Sequence, residues 1–199
     1  MKLTTPRILL VALAAGTLGI VASLMMSGPG PLLRTEPGQR LAQQVLQANA
    51  PPAPEGVEVA KRGGPVPHFS VAQLDEGQWT LPDDFSGQPL LVNIWASWCP
   101  PCIEEMPELD RFARAQGSDG VQVLGIALDD AQAVRDFLAE VPVEYPQGID
   151  SPGNADAGVR LGNPRGVLPY SVLISADGQV LKQRIGPFEH GEIDGWARH

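Results

Sequence analysis

Cysteine is nearly absent from this chain: its 199 residues include two, Cys99 and Cys102. One closely spaced pair cannot build the multi-bridge framework that holds small secreted domains together, so a disulfide here would be local. Histidine is almost as scarce, with His68, His190 and His199 the whole supply. A zinc ion bound by the two thiols would need two more ligands, and this shortage makes a metal site a poor account of the pair. Positive charge is also short, since 14 Lys and Arg against 23 Asp and Glu leave a net charge of −9. Non-specific affinity for nucleic acid comes from basic side chains neutralising phosphates, so no nucleic-acid partner is expected.

What the chain does have begins with an apolar run. Lys2 and Arg7 precede residues 8–26, which hold no charge. As a helix rising ~1.5 Å per residue the run would extend roughly 28 Å, just enough to cross a bilayer. Ala22-Ser23-Leu24-Met25-Met26-Ser27 ends in bulky residues rather than the small-x-small pattern of a cleavage site. That favours an uncleaved anchor over a cleaved signal or a buried core helix. With Lys2 and Arg7 held in the cytoplasm, the remainder faces the other compartment, where disulfide chemistry is possible. The expected organisation is residues 1–27 as anchor or signal, 28–63 as a Pro/Gly-rich linker, and 64–199 as one α/β domain. Within the linker, Leu41, Val45 and Leu46 have partial helical spacing and predict a short helix over residues 39–48, broken by Pro51-Pro52-Ala53-Pro54.

In the domain, residues 69–74 and 78–81 flank Asp75-Glu76-Gly77 and predict a β-hairpin. Leu90-Leu91-Val92-Asn93-Ile94-Trp95 reads as a buried central strand running into a helix, and residues 121–128 repeat the strand pattern. Asp130 is a suitable N-cap for a helix over 131–140. Asp177-Gly178 is a hairpin turn between strands at 170–174 and 180–185. Residues 148–165, rich in Gly, Asn, Asp and Pro, predict loop, and a short helix ends the chain. The fold class is α/β with a mixed sheet.

The chemistry concentrates at Trp98-Cys99-Pro100-Pro101-Cys102. A helix starting at Cys99 would set its thiol among unpaired N–H groups at the positive end of the macrodipole, which favours a thiolate. A fall in pKa from ~8.5 to ~7 makes about half the thiol reactive near neutral pH. Pro100 and Pro101 suit a first helical turn, Cys102 can resolve a mixed disulfide from one turn on, and Pro107 predicts a kink.

The run Asn93-Ile94-Trp95-Ala96-Ser97-Trp98-Cys99-Pro100-Pro101-Cys102, followed by Glu105, Pro107 and Gly166-Val167-Leu168-Pro169, resembles the thioredoxin-like proteins of the TlpA and ResA type, which include the cytochrome c maturation reductases. The resemblance covers roughly residues 64–195. It implies a thioredoxin-like fold with an added N-terminal hairpin and a central insert, tethered to or secreted across a bacterial inner membrane, acting as a periplasmic disulfide reductase. Cys99 would be the exposed nucleophile, Cys102 the buried resolving thiol, Glu105 an acid governing thiol ionisation, and Pro169 a cis-proline. Trp98, Pro100 and Leu168 would contact substrate. A cis bond before Pro169 would give an extended client a short backbone edge beside Cys99. Asn93 stands where thioredoxins commonly carry a buried acid and cannot titrate, which leaves Glu105, three residues from Cys102, as the proton-handling group; its plain reading is a solvated residue beside Glu104 and Glu108. No cofactor is implied. The implied partners are disulfide-containing clients, cytochrome c apoproteins among them, and a membrane-embedded thiol donor, because the chain has no second cysteine pair to supply electrons. A disulfide-forming oxidase, or a binding or chaperone module with incidental thiols, uses the same residues and stays open. A peroxiredoxin is disfavoured, since the Thr-x-x-Cys context of that family is absent and position 96 is Ala.

Overall fold

The computed structural model describes residues 35–117 and 119–198. The chain divides into two units, Met1–Arg40 and Leu41–His199. The apolar run at residues 8–26 lies outside the described residues. Among those described, no helix is long and apolar enough to cross a membrane.

Leu90 to Trp95 form β3, a strand whose six residues are all buried because both faces of the sheet are covered. Around it lie β1 (Phe69–Gln73), β2 (Gln78–Leu81), β4 (Gln122–Leu128), β5 (Gln147–Asp150), β6 (Tyr170–Ile174) and β7 (Val180–Ile185). The seven strands are ordered β2-β1-β5-β4-β3-β6-β7. β3, β4 and β5 run parallel, while β6 and β7 on one side and β1 and β2 on the other are antiparallel. The helices are α1 (Glu36–Ala48), α2 (Pro100–Ala115), α3 (Ala131–Glu140), α4 (Ala157–Arg160) and α5 (Glu192–Trp196).

Alternation along β3 divides the core. Leu90, Val92 and Ile94 face a cluster with Phe69, Leu81, Leu161 and Tyr170. On the other face Leu91 meets Leu109 and Phe112 of α2 and Trp196 of α5, while Trp95 packs with Met106 and Val134. Asp130 caps α3 as expected, accepting from the Gln132 and Ala133 N–H groups.

One region differs from the sequence expectation. Residues 148–165 are not loop throughout, since β5 and α4 fall at or within them, α4 being capped by Asp156, which accepts from Val159 N–H (2.9 Å). β5 pairs with both β4 and β1, so the hairpin joins the central sheet. The short helix expected over residues 39–48 is present as α1, which begins earlier, at Glu36, and from residue 41 onward this stretch is bonded to the body. Gln43 Nε2 donates to Gly162 O (2.5 Å), Ala60 N–H to Arg160 O (2.8 Å) and Gly63 N–H to Val180 O (2.8 Å). α2 runs continuously through Pro107.

Candidate active site

β3 ends at Trp95, whose indole is fully buried and donates from Nε1 to Gln147 Oε1 (3.0 Å). The chain then turns through Ala96, Ser97 and Trp98. Asp129, just past β4, fastens this turn by accepting from both the Ser97 N–H (3.0 Å) and its hydroxyl (2.6 Å). Burial pushes the Asp129 carboxyl up, but the donors at Ser97 and Asp130 outweigh it and hold the group below its ordinary value. Trp98 stands out from the surface at 64 % exposure.

Cys99 is the N-cap of α2, with extended backbone and Pro100 and Pro101 in the first helical positions. This arrangement narrows the expected source of thiolate stabilisation. The prolines have no N–H, and the next two donors, Cys102 and Ile103, both bond to Cys99 O (3.0 and 3.1 Å). The axial dipole remains, without a ring of free N–H groups around the sulfur. The two sulfurs are bonded to one another at 2.04 Å. Cys99 is 5 % exposed and Cys102 fully buried, so the openness implied for Cys99 is a narrow one in this disulfide form. Ala96, Met106, Ala127 and Val134 pack with the pair, and Leu168 joins from the facing loop.

The Leu168–Pro169 peptide is cis, in line with the resemblance, and so is Leu81–Pro82, which sequence reasoning did not single out. Pro169 is buried and its carbonyl accepts from Gly186 N–H (2.9 Å). Beside the disulfide lies an open groove of about 480 Å³ whose walls include Trp98, Leu128, Leu168, Pro152 and Arg165. Pro100 is exposed at the head of α2.

Glu105 is not solvated. It is 1 % exposed, Asn93 Nδ2 donates to its Oε1 (2.7 Å), and the Phe188 backbone N–H donates to its Oε2 (3.0 Å). Burial pushes its carboxyl up from 4.5 to about 7, although the Phe188 N–H, the Asn93 amide and the charge of Arg184 all favour ionisation. Asn93 Nδ2 also donates to Ser171 Oγ (3.1 Å), while Asn93 Oδ1 has no hydrogen-bond partner.

Beneath Glu105 the strand registers create a feature that sequence reasoning missed. Arg184 on β7 is paired with Ser171, Ser171 with Asn93, Asn93 with Gly125, and Gly125 with Gln147. Cross-strand partners share a face, so these five positions form one row across five strands. Gly125 leaves a gap that Gln147 fills: a Cβ there would collide with Gln147 Oε1. Arg184, Ser171, Asn93 and Gln147 are all at most 8 % exposed. Among the described residues, no group of three or more His, Cys, Asp or Glu could hold a metal ion.

Comparison with known proteins agrees with this geometry. The Redoxin family model matches residues 61–196. The thiol-disulfide oxidoreductase ResA of Bacillus anthracis is 30 % identical over 139 residues, covering 68 % of this chain and 76 % of that protein. The thiol:disulfide interchange protein DsbE of Allochromatium vinosum is 35 % identical over 127 residues, 63 % of this chain and 67 % of its own. Among solved structures, a thioredoxin-family thiol:disulfide interchange protein from Chlorobium tepidum superposes with a TM-score of 0.58 at 26 % identity, covering 70 % of this chain and 97 % of that one. StoA from Bacillus subtilis gives 0.54 at 26 % identity over 67 % and 98 %.

Proposed function

The chain belongs to the Redoxin family, a thiol–disulfide oxidoreductase by its relatives, and from that premise we propose that it works as a disulfide reductase on envelope proteins through Cys99 and Cys102. The observation that carries the reading is the asymmetry of the pair: Cys99 sits at a helix N-terminus beside an open groove, and Cys102 is sealed behind it.

In the reduced enzyme the Cys99 thiolate attacks one sulfur of a client disulfide, forming a mixed disulfide and releasing the other client sulfur as a thiolate that takes up a proton. Cys102 then gives its proton to the Glu105 carboxylate and attacks the Cys99 sulfur. The second client sulfur leaves as a thiolate that takes the proton from Glu105, and the enzyme is left as the disulfide of this structure. Two electrons have passed to the client with one proton from Cys102 and one from solvent, and a membrane-embedded dithiol donor restores the reduced pair. Trp98 and Leu168, which line the groove, and Pro100, exposed at the head of α2, meet the client, with the cis-Pro169 following Leu168. Residues 8–26 anchor the chain, which places the domain on the periplasmic side.

The decisive experiment traps clients on a Cys102→Ala variant, which cannot resolve the mixed disulfide. Envelope proteins bound through Cys99, absent from a Cys99→Ala control, support the mechanism. An empty trap overturns exchange, and a reduction potential more oxidising than about −150 mV overturns the reducing direction.

A further inference from the structure

The structure gives the C-terminal stretch after β7 a place in the site. Residues 186–191 form a strap between β7 and α5, bounded by Gly186 and Gly191, both at positive φ (88° and 76°). Its first N–H, Gly186, donates to Pro169 O (2.9 Å). Its second, Phe188, donates to Glu105 Oε2 (3.0 Å), and its last, Gly191, to Glu108 Oε1 (2.7 Å). One short segment therefore ties the loop at Pro169 to the acid behind Cys102.

The strap is held from beneath by Arg184. Its guanidinium makes a two-pronged pair with Glu192, Nη1 to Oε1 at 2.8 Å and Nη2 to Oε2 at 2.9 Å, and Nη2 also donates to Pro187 O (2.7 Å). Glu192 in turn accepts from Glu189 N–H (3.0 Å), closing the turn. The guanidinium lies 4.5 Å from the centre of the Phe188 ring. Arg184 is 3 % exposed and its Nε has no acceptor. A buried donor left empty is costly, which is unexpected for a side chain serving only to staple a terminus.

We infer that Arg184 is a positioning residue for the thiol chemistry: by clamping Glu192 and the Pro187 carbonyl it keeps the Phe188 N–H on Glu105 and the Gly186 N–H on Pro169. This rests on the proton-handling role proposed for Glu105. The ionisable groups around Glu105 include Arg184 from β7 with its partner Glu192 on α5, Tyr145 from the segment before β5, and Cys102, Glu104 and Glu108 on α2 itself. Of these Arg184 is the one cation, and it acts twice, by its charge and by the N–H it holds in place. Both favour the carboxylate, so loosening the clamp makes Glu105 harder to ionise.

The test is the pH profile of thiol alkylation in the reduced full-length protein, for wild type, Glu105→Gln, Arg184→Lys and Glu192→Gln. Glu105→Gln identifies the inflection that belongs to Glu105 by abolishing it. Arg184→Lys keeps the charge but loses the fork, and Glu192→Gln weakens the clamp while leaving Arg184 intact; both are expected to move that inflection upward by about one pH unit. A clamp that served stability alone would lower the melting temperature and leave the inflection in place, which overturns the inference while sparing the role of Glu105. An inflection that survives Glu105→Gln overturns both. A wild-type measurement stands independently of how the variants fold: the Phe188 amide resonance is expected to titrate with the Glu105 carboxyl, and a pH-independent Phe188 amide refutes the coupling.

Discussion

Burying Glu105 carries a thermodynamic signature that can be read without any client. The unfolded carboxyl titrates near 4.5 and the folded one near about 7, so between these values the folded protein holds a proton that the unfolded chain has released. Stability from this group is fully present below about pH 4.5 and is lost as the pH rises through about 7. At about 1.4 kcal/mol per pH unit, the gap is worth about 3 kcal/mol, a large part of a typical domain's margin. Glu105→Gln removes the titration. The new amide can still accept the Phe188 N–H, while its own N–H groups would meet Asn93 Nδ2 unless Asn93 turns its unpartnered Oδ1 toward them. That adjustment adds an offset that does not depend on pH. Urea unfolding of the oxidised protein and its Glu105→Gln variant, from about pH 4.5 to about 8, therefore gives a stability difference that moves toward the variant by about 3 kcal/mol as the pH rises. All other titrating groups are common to both and cancel. A difference that stays flat across the range would refute the claim that Glu105 is held protonated by burial.

Two further outcomes follow from the same geometry. Asn93→Asp replaces the donor 2.7 Å from Glu105 Oε1 with a second carboxyl, and two carboxyls at that distance cannot both ionise. Urea denaturation should show a loss of about 3 kcal/mol at about pH 8 that recovers below about pH 5; a loss independent of pH refutes the pairing. Trp98→Ala removes an exposed side chain and should leave stability within about 0.5 kcal/mol, while kcat/KM for a protein disulfide falls about tenfold and that for a small disulfide is unchanged. Equal losses on both substrates would remove Trp98 from client contact.

Much of this architecture can be read from the chain because its signals are local. Leu90 to Trp95 is an unbroken apolar run ending at a turn, Asp130 stands before an amphipathic segment, and Asp177-Gly178 separates two strands. β5 escapes such reading because Gln147-Gly148-Ile149-Asp150 has no hydrophobic pattern of its own; its place comes from the strands on either side. Asp156 was a legible cap, hidden by the surrounding Gly and Asn. At the site, the three-residue step from Cys102 to Glu105 was visible and the burial of Glu105 was not, since Glu104 and Glu108 make the neighbourhood look solvated. The stripe Cys102, Met106, Leu109 would have shown it, because Glu105 lies on the same inward face of α2. Arg184 was masked by a polar run, Lys182-Gln183-Arg184, in a strand near the end of the chain. Phe188 contributes through its backbone, which no side-chain pattern records.

The burial of Cys102 explains why an acid that titrates near neutrality suits the proposed exchange. A thiolate formed in this apolar cluster is poorly solvated, so Cys102 acts as a nucleophile only if its proton leaves as attack proceeds. An exposed carboxylate, with its ordinary value near 4.5, would be too weak a base to hold that proton near neutral pH, and a fully stranded one would never release it. Glu105 lies between these limits because burial raises its proton affinity while Asn93, Phe188 N–H and Arg184 hold it down. Removing the burial or the donors shifts the balance in opposite directions. Arg184, Ser171 and Asn93, the β7, β6 and β3 members of that row, therefore support the reaction centre on this proposal, although the sulfurs of Cys99 and Cys102 are the atoms that exchange.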